Sequence, residues 1–201
     1  MPLVPTTITA TIVARAFSKG LSGKDLPKLA SAVSNATVTY ILTAGNLQMN
    51  HIVIGPGAGV GTGVLLGMSA PAMSALMLTK AASLKLMGRD AKKLYDSISM
   101  GVTLGLMAAV ATGPVIGGGP GAGTGVVIGL IPSALKAVIL PLLAGKLIFG
   151  SKIEQIASII AFGIVTHIST VVKVSMTDVG AFTPPPVGPV MVVAPSIGRI
   201  A

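Results

Sequence analysis

Along these 201 residues the spacing of apolar positions changes period several times. Apolar stretches at residues 6–18, 72–87 and 133–149 predict helices. Pro5, Pro71 and Pro132 stand at their starts, where a missing N–H and a preset φ cost least. Pro141, inside the third stretch, predicts a kink or a split, since it removes one helical hydrogen bond and its ring meets the preceding turn. A glycine break follows each stretch, and a shorter second helix is expected to begin at Asp25, Asp90 or Ser151, whose side-chain oxygens suit the free N–H groups of a helix start. Ser151 and Glu154 also have capping-box spacing. Capping is a sufficient structural role for all four residues.

The period then shortens. Thr37-Val-Thr-Tyr-Ile-Leu42 alternates at its start and is rich in β-branched residues, the pattern of a half-buried strand. Residues 163–174 repeat that character. Residues 102–111 are richer in Leu, Met and Ala and fit helix as well as strand; analogy with the other two stretches assigns strand. Short apolar returns at 51–54, 114–116 and 190–193 predict second strands. Glycine-rich exits follow at 55–67 and 119–129, and a glycine-poor one at 194–201.

The expected fold class is therefore α+β, with three tandem helix–helix–strand–loop–strand units packed together. Gly23, Gly88 and Gly150, spaced by 65 and 62 residues, anchor the copies. The units fall at 1–68, 69–131 and 132–201, the last with a proline-rich C-terminal segment around Pro184 to Pro186. An internal repeat sets the fold before any local motif is weighed, and units this short are expected to share burial.

Composition sharpens this picture. Hydrophobic residues make up 52% and charged residues 9% of the chain, against about 25% charged in an ordinary soluble domain. Such a chain is expected to cover itself with a bilayer or with neighbouring subunits. Fourteen Lys and Arg against five acidic residues give a formal charge of +9, which favours anionic partners. The cations are dispersed along the sequence, aromatic residues are few and no base-reading motif occurs, so sequence-specific nucleic-acid binding is not expected. Cysteine is absent, which removes thiolate metal sites and disulfides. Met-Pro-Leu-Val-Pro-Thr-Thr at the start lacks the charged and apolar regions of a secretory signal, so export by that route is not expected.

The glycine strings of 55–67 and 119–129 invite a phosphate-binding reading. No Gly-Lys-Ser/Thr ending follows, and the dinucleotide fingerprint lacks its acidic ribose ligand. Close packing between units is the stronger reading. Residues 29–79 and 97–135 carry no charge and exceed the roughly 20 residues of a membrane-crossing helix, yet Gly-Pro and Gly-Gly clusters interrupt them. The helices at 72–87 and 133–149 remain able to lie at an interface.

Catalytic parts are scarce. His51 and His167 are the only histidines, and neither has a metal-ligand neighbour at the right spacing; His167 is expected to be a packing residue on a strand. Asp96 and Asp178 are isolated in sequence. The expectation is no enzyme, with no catalytic, cofactor-binding or metal-binding residues and no cofactor.

The short helix, the Thr/Val segment of the type Ala36-Thr-Val-Thr-Tyr40, the Pro/Gly loop and the Gly-Thr-Gly or Ile-Gly-Arg-Ile endings together resemble small virion proteins of tailed bacteriophages, encoded near tail or baseplate components. The resemblance implies a non-enzymatic structural protein of the tail, hub or baseplate region. Its partners would be other virion proteins or copies of itself, and its place the virion. The alternative is a membrane-inserting or membrane-perturbing protein acting in genome delivery, with transient membrane contact.

Overall fold

The computed structural model describes residues 4–44, 46–53, 58–66, 68–116, 122–171, 173–178 and 192–200. Expected features on Ile54 to Gly57, on residues 117–121 and on the proline-rich segment 179–191 lie outside the described residues. In chain order the elements are α1 (Pro5–Ser18), α2 (Leu26–Ala44), β1 (Asn46–Val53), β2 (Ala58–Leu66), α3 (Ala70–Ser83), α4 (Ala91–Ala108), β3 (Val110–Ile116), β4 (Ala122–Ile128), α5 (Pro132–Gly145), α6 (Ile153–Val171), β5 (Lys173–Asp178) and β6 (Val192–Ile200).

The expected units of helix, helix, strand, loop and strand do not form. Residues 37–42, 102–108 and 163–171, read as first strands, are the C-terminal halves of the long helices α2, α4 and α6. The reason is burial on several faces. Within α2, residues Ala32, Val33, Ser34, Ala36, Thr37 and Val38 are all buried, so the apolar set fills most of the circumference and no helical stripe appears in the sequence. β-branched residues tolerate a helix at little cost when one χ1 rotamer suffices. The Thr43 and Thr170 hydroxyls donate to the carbonyls of Thr39 and Thr166, at 2.8 and 2.7 Å.

The short helices are simpler. α1 buries Ile8, Ile12 and Ala16; α3 buries Met73, Met77 and Ala81 along its main ridge; α5 buries Leu135, Ile139 and Leu143. Each set is spaced by four, the ridge that packs into a neighbouring helix's groove. Pro5, Pro71 and Pro132 sit in the first two positions of these helices, and α5 runs unbroken through Pro141.

Each helix packs on its sequence neighbours, and α6 packs back on α1, which closes a ring of six. The α4–α5 crossing is antiparallel: Gly101 lies under Ile139, Gly105 under Leu135, and Ser97 donates to the Leu142 carbonyl at 3.1 Å. Gly163 lies under Ile12 where α6 meets α1.

The strands form one closed antiparallel barrel in the order β1 to β6. Paired residues include Asn50 with Thr62, Gly61 with Gly113, Thr124 with Ser175, and His51 with Ala194. The strings expected as glycine-rich exits are thus largely strand. Val64, Val126 and Ile128 are exposed, and Val127, between the last two, is buried, as strand alternation requires. A six-stranded barrel is narrow, and glycine lets its walls approach. The barrel sits where α2, α4 and α6 end and where α3 and α5 begin. The three helix–helix loops, 19–25, 84–90 and 146–152, gather at the opposite pole.

Candidate functional site

Three nearly identical turns build the loop pole. After α1, the N–H of Leu21 donates to the Ala16 carbonyl at 2.9 Å and that of Gly20 to Phe17 at 3.0 Å. After α3, Leu86 donates to Ala81 at 2.9 Å and Lys85 to Ala82 at 3.0 Å. After α5, Ile148 donates to Leu143 at 3.0 Å and Leu147 to Ala144 at 2.9 Å. This pair of bonds is the Schellman helix ending, which puts one residue in the left-handed region. Gly20 does so at φ 70°, but Lys85 and Leu147 do so at φ 55° and 58°. A residue with a Cβ costs roughly 1–2 kcal/mol there.

The next residue in each turn, Leu21, Leu86 or Ile148, folds back against the core. Its neighbours do not. Phe17, Met87, Leu147 and Phe149 are 59%, 55%, 75% and 71% exposed, so each loop raises at least one large apolar side chain into solvent.

Cations surround these tips. Arg15, Lys19, Lys24 and Lys28 come from the first loop region, Lys80, Lys85, Arg89, Lys92 and Lys93 from the second, and Lys146 and Lys152 from the third. These are eleven of the fourteen Lys and Arg in the chain. Dispersed in the sequence, they are gathered in space by the fold.

The carboxylates expected as helix caps pair with lysines instead. α4 begins at Ala91 with Asp90 in the cap position, yet Asp90 makes no side-chain cap bond; its carboxylate pairs with Lys93 at 3.0 Å. Asp25 pairs with Lys28 at 3.0 Å. Glu154 pairs with Lys136 at 2.5 Å, and α6 starts at Ile153, which leaves Ser151 one residue short of the cap. Lys24, Lys85, Arg89 and Lys152 make no ion pair among the described residues.

Between the loops lies a cavity of about 750 Å³, bounded by Leu21, Leu26 and Leu29 on one side, by Leu86, Leu94 and Tyr95 on another, and by Ile148 and Ile156 on the third. Burial pushes the Tyr95 phenol up to about 12, and its hydroxyl has no hydrogen-bond partner among the described residues.

The other expected residues lie elsewhere. Asp96 is not isolated: it accepts from Ser74 at 2.6 Å and from Lys92 at 2.7 Å. Partial burial works to raise its pKa, but these two bonds outweigh it and hold the carboxyl below its usual range. His167 is on helix α6, not on a strand, and its Nε2 accepts from the Val4 N–H at 3.4 Å. Burial lowers its pKa. His51 on β1 pairs with Ala194 of β6 and Asp178 on β5 pairs with Ser196 of the same strand, so one strand stands between them. Among the described residues no three His, Cys, Asp or Glu side chains group to hold a metal ion.

Among the described residues one helix has the length and apolar character to cross a bilayer: residues Ile153–Thr170 of α6 have a mean hydropathy of 1.3, and half of that stretch is buried in the ring. Comparison of this chain with family models, curated proteins and solved structures finds no match. The functional reading therefore rests on the pole. Its sequence signal lay in apolar residues set among the cations at each helix end, as in Leu84-Lys-Leu-Met-Gly-Arg89 and Lys146-Leu-Ile-Phe-Gly-Ser-Lys152.

Proposed function

We propose that the protein works at a membrane surface, with its loop pole seated on an anionic bilayer and its exposed side chains reaching into the headgroup layer. The single observation that carries this reading is the pairing of unpaired cations with protruding apolar tips: Lys85 and Arg89 beside Met87, and Lys152 beside Leu147 and Phe149. Cations near an anionic surface contribute about 1 kcal/mol each, and apolar side chains entering the interface add buried area. Lysine stems cover apolar surface while their ammonium groups stay with water and phosphate. With α6 held in the ring, the seated protein is interfacial; release of α6 would turn seating into insertion.

A second reading is the non-enzymatic assembly role implied by the likeness to phage virion proteins. What favours it is the uncharged flank of α4, where Met100, Leu104 and Met107 are exposed in one helical row and offer a surface for another subunit.

One experiment separates them. Flotation with phosphatidylcholine vesicles, with and without phosphatidylglycerol, should show binding that needs the anionic lipid and weakens with salt. Reversing Lys85 and Lys152 to Glu should lower partitioning by at least about tenfold, and dye release reports whether seating perturbs the bilayer. Failure to float in low salt, together with self-association by light scattering, would overturn the membrane reading in favour of assembly.

A further inference from the structure

We infer that the cavity at the loop pole is a binding site for a single acyl chain bearing an anionic head, with the chain among the leucines and the head beside Lys24 and Lys85. The inference rests on the membrane reading for the origin of its ligand, the bilayer on which the pole sits, but on separate observations for the site itself.

The cavity measures about 750 Å³, well within the range of small-molecule sites. Its wall is supplied by all three turns through Leu21, Leu86 and Ile148, the residues that each Schellman ending folds inward. The space is thus a consequence of three helix ends meeting, and Leu29, Leu94 and Ile156 deepen it. An apolar slot of this kind suits a hydrocarbon chain, which needs no hydrogen bonds and gains about 0.8 kcal/mol per methylene buried.

Charge fixes the other end. Four charged residues line the cavity: Lys24, Lys85, Asp25 and Asp90. Both carboxylates are engaged by lysines one helical turn on, Asp25 by Lys28 and Asp90 by Lys93. Lys24 and Lys85 make no ion pair among the described residues and remain to meet a carboxylate or phosphate. A cationic or neutral head would leave them uncompensated, so the anionic amphiphile is the favoured class. Ala91 lies in the wall at the start of α4, where a large side chain would occupy the chain's path with little disturbance to the helix.

The test uses the full chain and a dansylated undecanoic acid as a soluble fluorescent probe, with the same vesicles floated in parallel. Saturable one-to-one binding is expected, displaced by palmitate. Ala91→Trp should weaken it by on the order of tenfold, the loss equivalent to displacing two buried methylenes, with the circular dichroism spectrum unchanged. The pair Lys24→Gln and Lys85→Gln should weaken the acid more than the corresponding alcohol. Absence of saturable binding, or binding by a folded Ala91→Trp chain equal to that of the parent, would overturn the site. If the probe binds as expected but the parent does not float, the membrane reading falls while the acyl site stands; if the parent floats but does not bind the probe, the site falls and the seating stands.

Discussion

At the loop pole, Gly23, Gly88 and Gly150 have open space where a side chain would sit, with no atom within 4 Å of an added Cβ. Where the helices cross, Gly101 and Gly163 lie directly under Ile139 and Ile12. The same residue type thus meets two demands. At the pole it lies in turns that connect helices and leave space around them; at the crossings it removes side-chain volume so that two backbones approach. Charge divides in the same way. The pole holds most of the cations, while residues 97–135, which run along α4 and through β3 and β4, carry none. One end of the molecule is cationic and open to solvent, and the body is closely packed.

The largest effect should come from erasing that difference at a crossing. Gly163→Leu places a branched side chain against Ile12, whose Cδ1 and backbone N are already 3.3 and 3.4 Å from the position a Cβ would take. Overpacking of this kind costs typically about 1–3 kcal/mol, and the upper end is expected because the contact closes the ring between the first and last helices. Urea unfolding should show a lower midpoint at an unchanged slope. The companion Gly150→Ala, in open space, should fall within about 0.5 kcal/mol of the parent. Equal losses at the two positions would mean that the glycines are not divided as described.

A smaller effect should appear at the pole with the opposite sign. Leu147 occupies a left-handed position that glycine fills more cheaply, and its side chain is largely exposed. Leu147→Gly should therefore stabilise the protein by about 0.5–1 kcal/mol, read as a rise in melting temperature. Under the membrane reading the same change should weaken flotation, because a tip is lost while the charges remain. A gain in stability with flotation unchanged would leave the strained leucine without a role in seating.

How much of this was legible in the sequence depends on how many faces each element buries. The starts of α1, α3 and α5 were readable because Pro5, Pro71 and Pro132 mark them and one ridge with a spacing of four lies behind. The second halves of α2, α4 and α6 were not. Buried on several sides, segments such as Thr37 to Leu42 lose the 3.6-residue stripe, and their β-branched content then reads as strand. The barrel was hidden for the converse reason: Gly59, Gly61 and Gly63 have little strand propensity, and only closure into a narrow barrel makes residues without side chains suitable for a wall. The pole was not legible because Lys24 and Lys85 are far apart in sequence and line one cavity only when the ring closes.

The smallest effect concerns pH, and it sharpens the contrast between the two ends. The pole carries lysine–carboxylate pairs, Asp25 with Lys28 and Asp90 with Lys93. The seam between α1 and α6 at the barrel end is different, because His167 is 5% exposed there and accepts the Val4 N–H. Acceptance requires a neutral ring nitrogen, and burial lowers the folded pKa below the ordinary value near 6.5. As pH falls through that value the unfolded chain takes up the proton before the folded one does. The contribution of His167 is thus fully present above the unfolded pKa and is lost as pH falls towards the folded pKa. Unfolding measured from neutral to mildly acidic pH should show this decline in the parent and a shallower one in His167→Gln. An identical pH slope in the two would mean that the seam does not titrate, and the stability loss in acid would then belong to the carboxylates, with Asp96 and its partners Ser74 and Lys92 the first to examine.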